Sequence, residues 1–116
     1  RPEVDLVLHP AFTDCPGHKI WKRDFNGSNG LFSFTLKTGT DEAVSAFLDN
    51  LKLFKMGYSW GGFESLVMSF YNLKKERKLT IWDNYAPLIR LHIGLEDPGD
   101  LISDLEYGFK CFSKMK

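Results

Sequence analysis

Apolar and polar positions along the chain fall into two repeating patterns, and these divide it into strands and helices. Val4 to Leu8 is a short apolar run closed by His9-Pro10, which predicts a strand because a proline drives its predecessor to extended backbone. Leu31–Lys37 alternates, with Phe32, Phe34 and Leu36 on one face and Ser33 and Thr35 on the other, as in a strand with one buried face. Leu53–Tyr58 and Leu66–Phe70 predict two more strands, joined by the glycine-bracketed tight turn S-W-G-G at 59–62. Leu88–Ile93 alternates again: Ile89, Leu91 and Ile93 share one face, and Leu88, Arg90 and His92 the other.

Two stretches carry the helical period instead. Thr40 is a suitable N-cap, Asp41 and Glu42 suit the positive end of the helix dipole, and Val44, Phe47, Leu48 and Leu51 form the apolar stripe. Asp97 caps the last helix and Pro98 takes its first position, with Leu101, Ile102, Leu105, Phe109 and Phe112 on the buried side. Residues 13–30 read as loop with a helical turn over I-W-K-R-D-F, and residues 71–86 as polar and irregular. This order predicts an α+β fold, a small mainly antiparallel sheet with helices packed on one face.

At 116 residues, 43% of them hydrophobic, the chain can bury one core. Lys+Arg 15 against Asp+Glu 15 leaves no basic excess to drive nucleic-acid binding by counterion release. No apolar run approaches the roughly 18–20 residues of a membrane span, the Lys74–Lys78 run is too short to hold an anionic membrane, and no signal peptide is visible. These features predict a cytoplasmic protein with no nucleic-acid or membrane partner. Cys15 and Cys111 lie outside any CxxC pattern and read as free thiols. His9, His18 and His92 lack metal-ligand spacing, and no serine sits in a GxSxG elbow. G-Y-S-W-G-G at 57–62 matches neither phosphate-loop pattern.

Arg90 is the anomaly. It stands in L-I-R-L-H-I-G-L-E-D at 88–97, among the most apolar residues of the chain, and its charge cannot be buried unpaired. Two readings are open. Exposed arginines are the norm, so Arg90 can face water on a half-covered sheet. Its planar fork also matches a carboxylate bidentately, so lining a pocket that holds one is the second reading.

H-P-A-F at 9–12, G-H-K-I-W-K-R-D-F at 17–25, N-G-L-F-S-F at 29–34, Y-S-W-G-G-F-E-S-L at 58–66 and L-I-R-L-H-I-G-L-E-D at 88–97 occur in that order. Together they resemble the C-terminal part of bacterial cystathionine beta-lyases, a branch of the Cys/Met-metabolism family of pyridoxal-phosphate enzymes. Segment 70–87 is the least family-like. The resemblance implies that residues 1–116 are a single C-terminal small domain of a fold type I enzyme, beginning near Arg1, with the large cofactor-binding domain upstream. It implies cleavage of cystathionine to homocysteine, pyruvate and ammonia in methionine biosynthesis. Arg90 would grip the substrate α-carboxylate, with Ser59 and Trp60 in the loop beside it.

The same resemblance places the Schiff-base lysine and the groups that hold pyridoxal 5'-phosphate upstream. It thus implies no catalytic, cofactor-binding or metal residue here: Lys37, Lys110, Lys114 and Lys116 lack the family's serine/threonine-rich setting. It further implies that the piece alone is inactive and that its partners are the upstream domain, a small amino-acid substrate and, in a homotetramer, further copies. A free-standing, non-catalytic carboxylate-binding or assembly module is the rival reading.

Overall fold

The computed structural model describes residues 1–70 and 87–115. Among the described residues five strands, β1 (Val4–Leu8), β2 (Leu31–Leu36), β3 (Lys55–Met56), β4 (Leu66–Phe70) and β5 (Leu88–His92), form one sheet in the order β1-β2-β5-β4-β3. Three helices accompany them among the described residues: α1 (His18–Asp24), α2 (Asp41–Asp49) and α3 (Pro98–Lys114). The fold is α+β, and every strand pair is antiparallel except β3 with β4.

Alternation along the strands sorts their side chains to two faces. Phe34, Leu36, Val67, Ile89 and Leu91 point to one face and join Val44, Phe47, Leu48, Leu101, Phe109 and Phe112 of α2 and α3 in a single core. Phe47 and Phe109 approach to 4.9 Å between ring centroids, and Phe34 lies 5.8 Å from Phe109, so three rings tie the sheet to both helices. Asp104 of α3 is buried, and its carboxylate accepts hydrogen bonds from the Lys52, Leu53 and Phe54 backbone N–H groups at 2.8 to 3.2 Å. That carboxylate fixes the chain leaving α2 at the height where β3 begins.

Both expected caps form. Thr40 Oγ1 accepts from the Ala43 N–H at 3.1 Å, and Asp97 Oδ1 from the Asp100 N–H at 3.2 Å. Several expectations need correction. Ile102 is 59% exposed, because α3 turns Leu101, Asp104, Gly108, Phe109 and Phe112 inward. Thr35 is fully buried on the face expected to be open, where its hydroxyl accepts from the Leu6 N–H at an irregularity of β1. The strand expected over Leu53–Tyr58 shrinks to Lys55–Met56. Because β3 and β4 run parallel, the residues between them are no tight hairpin turn but a connection that carries the chain back along the sheet. The turn expected near Trp21 is a seven-residue helix with no buried residue. The irregular stretch expected at 71–86 lies outside the described residues.

Candidate functional site

β5 is the middle strand of the sheet, and its registers place Arg90 opposite Ser33 of β2 and Met68 of β4, on the face turned away from α2 and α3. His92 follows on the same face, between Leu31 and Leu66. The connection from β3 to β4 lies over these two side chains. Arg90 donates from Nη2 to the Tyr58 carbonyl at 2.6 Å. His92 meets the Gly61 N–H at Nδ1 (3.3 Å) and the Gly62 carbonyl at Nε2 (2.9 Å).

Beyond the end of β5 the fastening continues. Leu95 N–H donates to the Phe63 carbonyl at 2.9 Å. Glu96 accepts from the Ser65 N–H at 2.9 Å and the Ser65 hydroxyl at 2.7 Å, and that hydroxyl also accepts from the Gly94 N–H at 2.8 Å. Gly94 is required here, since a Cβ would strike the Phe63 carbonyl. Gly61 adopts a left-handed φ of 85°, which favours glycine at the tip of the loop. The Ser65 N–H, then its hydroxyl, hold the Glu96 carboxyl below the usual carboxylate range.

Segment 90–96 thus holds segment 58–65 at four successive points. Ser59 and Trp60 are the two residues between the Arg90 and His92 fastenings, and both face solvent. Among the described residues no carboxylate lies within ion-pair distance of Arg90. The half-buried guanidinium spends one N–H on Tyr58, and its other donors keep no protein partner there. A small carboxylate is the ligand such a fork fits.

The site residues expected from the sequence therefore meet in one place: Arg90 contacts the peptide that joins Tyr58 to Ser59, with Trp60 next along. His92, Gly94, Glu96 and Ser65 were missed as parts of it. Position two after Arg90 was a signal for His92, because it shares the face. Nothing local marks the pairing of Ser65 with Glu96, which are 31 residues apart.

A family model described as Cys/Met metabolism PLP-dependent enzyme matches residues 1–110. The chain belongs to that family. Cystathionine beta-lyase MetC of Escherichia coli (strain K12) is 50% identical over 112 residues, covering 94% of this chain and 28% of the relative. The cystathionine beta-lyase of Haemophilus influenzae (strain ATCC 51907 / DSM 11121 / KW20 / Rd) is 48% identical over 118 residues, covering 95% and 28%. A crystal structure of cystathionine gamma synthase from Xanthomonas oryzae pv. oryzae, in complex with aminoacrylate and cysteine, superposes with a TM-score of 0.82 at 30% identity, covering all of this chain and 31% of that one. The chain spans less than a third of the length of the relatives it matches.

Pyridoxal phosphate is the cofactor of the family. Every described lysine is exposed. The described residues offer the cofactor's aldehyde no enclosed amine. Among them, no helix is long and apolar enough to cross a membrane, and no group of three metal-binding side chains assembles.

Proposed function

We propose that this chain is the substrate-carboxylate-binding part of a PLP-dependent carbon–sulfur lyase acting on cystathionine. The observation that carries the reading is the Arg90 fork, held at one end by the Tyr58 carbonyl and, among the described residues, with no carboxylate against the rest. The 50% identity to a cystathionine beta-lyase supports the beta-cleaving branch, which yields homocysteine, pyruvate and ammonia. Arg90 pairs with the α-carboxylate, and Ser59 and Trp60 flank it. Fixing that group sets the substrate's Cα–H direction, a positioning effect. The cofactor supplies an electron sink for the α-carbon, and it is held with its Schiff-base lysine by a large domain upstream of these residues. The complete enzyme is a cytoplasmic homotetramer of methionine biosynthesis, and this piece alone is catalytically silent.

The test uses the complete enzyme. Arg90→Ala should raise KM for cystathionine by roughly ten- to a hundredfold, the worth of charge-assisted hydrogen bonds to a carboxylate. The pyridoxal absorption should persist. An unchanged KM would overturn the assignment. A second reading, a free-standing carboxylate-binding module, is favoured by one fact: this chain itself supplies four fastenings of the loop. It requires that this chain alone bind L-alanine and that Arg90→Ala abolish the binding.

A further inference from the structure

We propose that His92 is a positioning residue for the carboxylate site, locked in a single tautomer by the backbone of the loop it holds. The inference rests on the carboxylate reading of Arg90. The Gly62 carbonyl, 2.9 Å from Nε2, can only accept, so the ring proton sits on Nε2. The Gly61 N–H, 3.3 Å from Nδ1, can only donate, so it takes the Nδ1 lone pair. The two partners are satisfied together by the tautomer that carries its proton on Nε2. Leu31 and Leu66 flank the ring in register on either side, and His92 is 7% exposed, so little water competes for its nitrogens.

The placement of this clamp gives it a use beyond stability. Arg90 and His92 are two residues apart on one strand face, about 7 Å along it. The loop is fastened to Arg90 at Tyr58 and to His92 at Gly61 and Gly62, with only Ser59 and Trp60 between. A segment so short, tied at both ends, has few conformations, and both side chains are turned to solvent. Without the histidine, the near end of the loop depends on Arg90 alone, whose fork must also serve the carboxylate. His92 touches no ligand; it sets where Ser59 and Trp60 stand relative to the arginine.

The experiment is a nuclear magnetic resonance study of this chain labelled at histidine nitrogens, with L-alanine as the carboxylate probe. The His92 ring should show the fixed Nε2–H pattern, and the Arg90 side-chain N–H signal should shift saturably with L-alanine. His92→Leu, which removes both hydrogen bonds, should weaken L-alanine binding by roughly ten- to thirtyfold. His92→Asn returns an acceptor toward Gly61 and His92→Gln a donor toward Gly62, so each should recover part of the loss. The two polar variants also keep the test open if the leucine variant fails to fold. A ring averaging both tautomers, or leucine, asparagine and glutamine variants that all bind like wild type, would overturn the proposal. If wild type alone takes no L-alanine, the free-standing-module reading fails, the carboxylate reading is left to the KM test in the complete enzyme, and the clamp is judged by Gly61 amide exchange. Exchange accelerated about tenfold or more in His92→Leu upholds it, and unchanged exchange refutes it.

Discussion

Glu96 shows how one side chain makes the site depend on acidity. Its carboxylate takes both the amide and the hydroxyl of Ser65, and those bonds lower its pKa in the folded chain. In the unfolded chain the group titrates at its ordinary value, about 4.3. The stabilisation is therefore complete above that value and is lost as pH falls through the lower folded one. Glu96→Gln should be less stable than wild type at neutral pH, and the gap should close as pH falls below the ordinary carboxylate range. Urea midpoints measured across the acid range give the answer, and a gap independent of pH would show that the charge contributes nothing. Arg90 was legible at this scale because a permanent charge among leucines and isoleucines is anomalous in any fold. His92 was half legible, its face given by alternation but its partners by tertiary structure alone.

Among the elements, α3 does two jobs. Its aromatic residues close the core, and Asp104 holds three backbone N–H groups just past α2. Removing the carboxylate leaves those donors unpaired, so Asp104→Ala should destabilise the fold by about 3 kcal/mol. Equilibrium unfolding in urea measures this, and a loss under about 0.5 kcal/mol, typical of a surface change, would contradict it. The same aspartate explains why the sequence misleads about Ile102. Hydrophobicity favours an isoleucine inside, but the inward arc of the helix includes the acid that satisfies the chain beyond α2. Capping by Thr40 and Asp97 was legible because each cap needs only residues within one turn. The parallel sense of β3 was not, because the intervening loop takes its path from β5, far away in sequence.

At the scale of the molecule, the loop and its fastening leave large apolar side chains outside. Tyr58 is 74% exposed, Trp60 60%, Phe63 69% and Leu95 86%. Isolated soluble domains rarely leave such a group uncovered. The chain by itself should therefore self-associate, with a sedimentation coefficient that rises with concentration. Trp60→Ser combined with Leu95→Ser should reduce the effect, while a coefficient independent of concentration in wild type would refute it. The general architecture was legible from periodicity, since apolar faces fix which side of each strand meets the helices.

The four-point fastening of segment 58–65 by segment 90–96 also bears on protein engineering. Ser59 and Trp60 lie on one peptide, while Arg90 and the groups that fasten that peptide lie on another, so neither is a portable part. Transplanting S-W-G-G-F-E-S into another scaffold would deliver Ser59 and Trp60 without Arg90 and on an unshaped peptide. Moving it together with the strand that ends in His92 and the Gly94-Leu95-Glu96 extension would carry the geometry too. Chimeras among relatives should accordingly keep their affinity when both segments come from one parent, and lose it when the segments come from two.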